Sequence, residues 1–287
     1  MKAPRFAYAR PASIAEALAL LAEHKDDARV LAGGQSLVPM LNFRVAAPKV
    51  LVDINRIVGL VGVKVAGNHI RIGALTRHVE LERSTDIARH LPLIAAAMPH
   101  IAHPAVRNRG TFGGSCALAD PAAELPPCAL ALGATFIIAS KKGERRVAAA
   151  DFFKGLYATA LKADELLIAA EFPLPKPGYA CAFGELARRH GDYAMVGVAA
   201  HGSTDGKKFS DMRVALFGVG DRPVRAARLE RALDGRPAAA KTIEGALAAL
   251  DSDLEPRADL QASAATKRHL AKVLAGRVLR NMQGVAA

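Results

Sequence analysis

The sequence predicts an α+β chain in which small mixed segments precede an antiparallel sheet backed by helices. Three observations carry that prediction. Strand, helix and strand signals alternate at the N-terminus. A proline-rich segment, Pro173–Gly178 (PLPKPG), breaks the chain well past its midpoint. Beyond it, three strand-like runs are followed by three helix-like runs. Strands in series and then helices in series describe an α+β unit rather than a doubly wound one.

Taken in order, Phe6–Ala9 reads as a short strand, and Ser13 with Glu16 three residues on is a capping box opening an Ala/Leu-rich helix to about His24. Arg29–Ala32 is an apolar strand leading into Leu31–Leu37 (LAGGQSL), where Ser36 is the expected N-cap of a helix over Leu37–Arg44. Val50–Ile54 is a further strand, and Ile57–Leu75 holds two short ones separated by the Gly67-Asn68 turn. Thr76 is expected to cap a helix through Glu82, and His90–His100 reads as an Ala-rich helix stopping near Pro99. Ala129–Ala139 reads as a helix end and then a buried strand, and Leu166–Phe172 as a strand closed by the prolines. The later strands are Tyr179–Ala187, Ala194–His201 and Met212–Val219, with Thr204–Asp211 as a hairpin-like connection. Helices follow at about Ala226–Leu233, Thr242–Leu250 and Ala264–Met282.

Composition narrows the functions. With 287 residues and 51% hydrophobic content, the chain can bury one large core or two to three smaller ones. No apolar run approaches the roughly 18 residues of a membrane span, and the N-terminus lacks a secretory apolar core, so a cytoplasmic protein is expected. Cys116, Cys128 and Cys181 are too few for a disulfide framework or a four-thiolate cluster, which a partner would have to supply. The net charge of +12 raises nucleic acid as a partner, yet the basic residues are scattered and there is no Trp to stack on a base. His100 and His103 share a metal-like spacing, but prolines interrupt the segment and no third ligand is near.

The chemistry concentrates in Thr111–Pro127, TFGGSCALADPAAELPP. It offers Thr111, the pair Gly113-Gly114, a hydroxyl at Ser115, and the carboxylates Asp120 and Glu124. Adjacent glycines let backbone N–H groups turn toward one anion. The upstream pair Gly33-Gly34, followed by Gln35 and Ser36, repeats the pattern. Two such nests could hold the two phosphates of a dinucleotide, and a nest that ends at a helix start gains the helix dipole.

AGGQSLVPMLNFR, AHPAVRNRGTFGGSCALADPAAELP and ARRHGDYAMVG, in that order, resemble the FAD-binding medium subunit of the molybdenum hydroxylases, the xanthine dehydrogenase and aerobic carbon monoxide dehydrogenase group. The fingerprint G-x-G-x-x-G is absent, so the chain does not read as a Rossmann flavoprotein. The resemblance implies a PCMH-type flavin fold: two small α/β lobes over 1–56 and 57–176, and a C-terminal domain over 177–287 with a three-stranded antiparallel sheet and helices. It assigns the first pyrophosphate loop to Val30, Leu31, Ala32, Gly33, Gly34, Gln35, Ser36 and Leu37, and the second to Thr111, Gly113, Gly114 and Ser115. It places Asp120 and Glu124 near the FAD ribose or pyrophosphate, Ile101 and Leu167 at apolar positions bordering the flavin, and Tyr193 over its ring.

Gln35, Ser115 and Glu124 depart from frequent His, Asn and Asp. They keep hydrogen-bonding capacity and leave the flavin environment open. No residue is assigned as nucleophile or general base. The implied function is electron transfer in an oxidoreductase complex. A large partner carries molybdopterin, a small one carries two 2Fe–2S clusters, and the complex is a dimer of heterotrimers. Electrons leave to a quinone or NAD. The alternatives are a nucleotide-binding structural module without redox function, and a basic nucleic-acid-binding protein.

Overall fold

The computed structural model describes residues 2–204 and 207–282. Asp205 and Gly206, within the predicted Thr204–Asp211 connection, lie outside the described residues.

The N-terminal part is a three-stranded parallel sheet in which Val50–Asp53 lies between Ala7–Ala9 and Ala28–Leu31. A parallel sheet needs crossover connections, and the helix Ile14–His24 carries the chain from one edge strand to the other. The Ser13 hydroxyl accepts the Glu16 N–H at 3.2 Å, while the Glu16 carboxylate accepts the Ala12 N–H at 2.8 Å. Ala17, Leu18 and Leu21 then face Val50 and Val52 in a shared core. The next helix is shorter than predicted, Leu37–Asn42, and Ser36 makes no side-chain cap because its own backbone is already helical.

The middle part is a five-stranded antiparallel sheet ordered Val63–Ala66, His69–Gly73, Leu166–Pro173, Thr135–Ser140, Gly143–Ala148. Leu166–Pro173 takes the centre because it is apolar on both faces. Side chains of a strand alternate between faces, and a bulge between Leu167 and Ala169 resets that alternation. Leu166, Ile168 and Ala169 therefore face the N-terminal part, whereas Leu167, Ala170 and Phe172 enter the main core with Phe112 and Phe136.

Two helix expectations are corrected here. His90–His100 is not one helix but Thr85–His90, Pro92–Ala97 and a 3-10 turn, Met98–His100. Pro92 lacks the N–H that would continue the first helix and opens the second, a position proline favours. Thr76 caps nothing. Its hydroxyl accepts the Gly62 N–H at 2.9 Å and donates to the Gly62 carbonyl at 3.1 Å. The helix His78–Arg83 begins instead with the Arg77 N–H on the Glu80 carboxylate at 2.6 Å.

The C-terminal part is a sheet of Tyr179–Leu186, Val196–Ser203 and Ser210–Phe217, with a fourth, two-residue strand, Val224–Arg225, where the sequence predicts three. The helix Ala264–Met282 covers one face, packing Ala271, Leu274, Val278 and Leu279 against Val196 and Val198. Ala199 and Ala215 point the other way, into the main core. No helix among the described residues is long and apolar enough to cross a membrane.

Candidate functional site

The strand Ala28–Leu31 ends at the first glycine pair. Gly34 has φ +75, which favours glycine, and at Gly33 an added Cβ would lie 2.4 Å from the Arg109 carbonyl oxygen. Among the described residues, the amides of Gly33, Gly34, Gln35 and Ser36 donate to no protein acceptor. Gln35 is turned back, its Nε2 3.4 Å from the Gly33 carbonyl. Four successive free donors ahead of a helix are what an anion-binding nest requires.

The second glycine pair does different work. Gly113 and Gly114 are not a turn but the first turn of the helix Phe112–Leu118, capped by Thr111. Their donors are engaged: Gly113 to the Ala74 carbonyl at 2.8 Å, Gly114 to the Thr111 hydroxyl at 3.1 Å, and Ser115 to the Thr111 carbonyl at 3.0 Å. The expectation of a second open nest is therefore corrected. Helix geometry consumes those amides, and glycine is needed because a Cβ on Gly113 would sit 2.5 Å from that of Ala74. What this segment offers a ligand is a surface without side chains, with the Ser115 hydroxyl at its edge.

The two segments are neighbours. Gly33 abuts Arg109 and Gly110, and a Cβ on Gly114 would be 4.0 Å from that of Ala32. Polar bridges hold the contact. Asn55 donates to the Ala32 carbonyl at 2.8 Å and accepts from Arg77 at 2.5 Å, and Arg77 also donates to the Arg109 carbonyl. Asp53 accepts from Asn55 at 2.6 Å and from the Tyr8 hydroxyl. Sequence reasoning missed Asn55 and Arg77, which carry no motif and are recognisable only once the strands are paired.

The remaining candidates gather on the C-terminal side. Asp120 and Tyr193 line one cavity of about 240 Å³ together with Tyr157, which the sequence reading also missed. The Tyr157 hydroxyl donates to Asp120 at 3.4 Å, from a turn at φ 52. Tyr193 is 62% exposed. Its loop rests on the middle part, where a Cβ on Gly191 would be 2.8 Å from the Ala102 carbonyl, one residue beyond Ile101. Glu124 is buried, and desolvation, with Glu185 and Asp120 nearby, pushes its carboxyl up to about 8. Ile101 and Leu167 both belong to the main core. Leu167 lies behind the second glycine pair, beside Ile168, whose carbonyl accepts the Ala74 N–H at 3.0 Å.

The residues present fit a dinucleotide. The free amides suit a diphosphate, the side-chain-free surface lets it approach, and the tyrosine-edged cavity suits a ring. Residues 4–175 match the family model described as FAD binding domain in molybdopterin dehydrogenase, and residues 181–282 match CO dehydrogenase flavoprotein C-terminal domain. Caffeine dehydrogenase subunit beta of Pseudomonas sp. (strain CBB1) is 42% identical over 238 residues, covering 83% of this chain and 81% of that protein. The solved carbon monoxide dehydrogenase of Hydrogenophaga pseudoflava, which lacks the Mo-pyranopterin moiety, superposes with a TM-score of 0.97 at 38% identity, covering 100% of both chains. Quinoline 2-oxidoreductase from Pseudomonas putida 86 gives a TM-score of 0.94 at 40% identity over 99% of each chain.

Proposed function

We propose, for a chain that belongs to the FAD-binding subunit family of the molybdenum hydroxylases, the work of an electron-transfer subunit that receives electrons from 2Fe–2S clusters of a small partner and passes them to a quinone or NAD. A large partner carries molybdopterin and oxidises the substrate, and the complex is a dimer of heterotrimers. The division at 1–56, 57–176 and 177–287, which the three larger sheets support, separates two cofactor-gripping lobes from a covering domain.

The observation that carries the reading is the run of free amides from Gly33 to Ser36, set against the second glycine segment. In this reading Val30–Leu37 and Thr111–Ser115 clasp the pyrophosphate, the first by donating and the second by standing close. Asp120 and Glu124 bind the polar middle of the cofactor, and Ile101, Leu167 and Tyr193 border the ring. FAD, when bound, supplies a centre that exchanges electrons singly or in pairs. This chain's residues bind, orient and shield it. Cys116 and Cys128 are fully buried, and burial raises both thiols, which suits packing and not cluster ligation.

The test is reconstitution. The purified chain, incubated with FAD and desalted, is expected to retain one equivalent of the cofactor. A chain that stays colourless would overturn the assignment. Reduction of the bound cofactor by a co-expressed partner complex separates electron transfer from a merely structural use of the nucleotide.

A further inference from the structure

The cavity edged by Asp120 and Tyr193 has a further wall to which the proposed function gives no role. Phe153–Gly155 and Ala158–Thr159 form a hairpin whose turn residues are Leu156 and Tyr157. Its root is fixed. Phe152 and Phe153 are buried against Phe136, with ring centroids 4.1 and 5.7 Å from that ring. Arg222 of the C-terminal part donates to the Phe153 carbonyl at 3.3 Å. The second strand lies beside the helix Phe112–Leu118, so the hairpin stands next to the second glycine segment.

The turn is built against the preference of its own residue. Tyr157 takes φ 52, in the left-handed region. A turn position of that kind ordinarily holds Gly or Asn, and a bulky side chain there is an outlier with a steric cost. Packing within the protein does little to offset it. Leu156 is 59% exposed and Tyr157 54%. Among the described residues the Tyr157 side chain makes a single hydrogen bond, its hydroxyl donating to Asp120 at 3.4 Å. The other oxygen of that carboxylate is pinned by the Ala122 N–H at 2.9 Å. Partial burial raises the Tyr157 phenol, as do Asp120 and Tyr193 nearby, so the hydroxyl remains a protonated donor.

This backbone aims the phenol ring at Asp120 and into the cavity that Tyr193 also lines. Strained residues cluster at ligand clamps and active sites. Apolar side chains left in solvent around a cavity mark a binding surface. We propose that Tyr157 is a further ring-contacting residue, which with Tyr193 forms a tyrosine pair closing on the flavin, one tyrosine from the middle part and one from the C-terminal part. The proposal rests on the FAD reading above and adds a residue and an element to it. The strain at Tyr157 is kept because a glycine would satisfy the turn but leave the cofactor without that contact.

The test uses the full chain loaded with FAD. The chain has no Trp and four tyrosines, and Tyr8 and Tyr179 are bonded elsewhere, to Asp53 and Asp211. Quenching of flavin emission by an adjacent phenol therefore reports on Tyr157 and Tyr193. Tyr157→Leu and Tyr193→Leu are each expected to brighten bound FAD, and the double variant to brighten it more than either. Tyr157→Gly is expected to weaken FAD binding about tenfold, the size of a lost aromatic contact. Tm of the FAD-free chain should stay level or rise in that variant, because glycine adopts a positive φ without strain. Tyr157→Phe, which keeps the ring, should bind FAD much as wild type does. Emission and affinity indifferent to Tyr157 in a chain that binds FAD would overturn this proposal alone. So would a Tm that falls together with the affinity, the mark of a purely structural residue. A chain that binds no FAD would overturn the proposed function and this proposal with it.

Discussion

Gly33 has no room for a side chain, and what it would strike is backbone. An alanine there would place Cβ 2.4 Å from the Arg109 oxygen and 3.0 Å from the Gly110 Cα. Neither can move without separating the two glycine segments. Overpacking of this kind costs roughly 1–3 kcal/mol, and here it also opens the anion cradle. Gly33→Ala is therefore expected to abolish FAD retention after desalting and to lower Tm. Gly59→Ala, at a position with nothing within 4 Å, should do neither. Tyr193→Ala should keep the cofactor, because that side chain is 62% exposed and lies outside both loops. Wild-type retention in Gly33→Ala would refute the role given to the contact.

Glu124 makes a prediction of opposite character, in pH. Its carboxyl keeps its proton up to about 8 in the fold against 4.5 ordinarily. As pH rises through that window the unfolded chain releases the proton first, so stability falls from pH 4.5 to 8 and is level above it. His78, pushed down from 6.5 to about 4 by burial, acts the other way. The unfolded chain takes up that proton first, so stability falls as pH drops from 6.5 to 4. Comparing Glu124→Gln with wild type cancels the histidine contribution. Tm of the variant minus Tm of wild type should grow steadily between pH 4.5 and 8. A difference that does not change with pH would contradict the burial of this carboxyl away from any cation.

At the scale of elements, the helix Ala264–Met282 shows what a sequence reveals well. Its apolar positions recur with helical spacing, and its start falls where that spacing predicts. Leu279 is fully buried between this helix and the sheet. Leu279→Ala should cost about 2–5 kcal/mol, the range for emptying a core leucine site, read as a lowered midpoint in urea. An unchanged midpoint would mean that the helix is not seated on the sheet. Other elements were hidden for definite reasons. Gly143–Ala148 is an edge strand carrying Arg145 and Arg146, whose charges pair with Glu165 at 2.6 Å and Glu171 at 2.5 Å, so the run looks like a solvated loop. The second glycine pair reads as an open nest because residue type alone does not show that Thr111 would cap a helix there. The Gly33-Gly34 turn was legible from its residues, whereas the Asn55–Arg77 bridge depends on which strands become neighbours.

At the scale of the molecule, the C-terminal part is packed onto the rest, not tethered to it. Ala199 and Ala215 of its sheet lie in the same core as Phe112 and Phe136. The Gly218 N–H donates to the Pro121 carbonyl at 2.9 Å, and buried Lys267 donates to the Gly218 carbonyl at 3.0 Å, so one glycine ties the Asp120 turn to the last helix. Removing this part would expose one side of the core that also holds Ile101 and Leu167. Shared apolar burial of that kind makes separate melting costly, even though loosely joined domains usually move and unfold apart. On heating the FAD-loaded chain, loss of far-ultraviolet circular dichroism, loss of near-ultraviolet tyrosine signal and the rise of free-flavin fluorescence are expected to share one midpoint. A flavin transition preceding the other two would mean that the covering part detaches first, and the single-core account of how Tyr193 is held would fail.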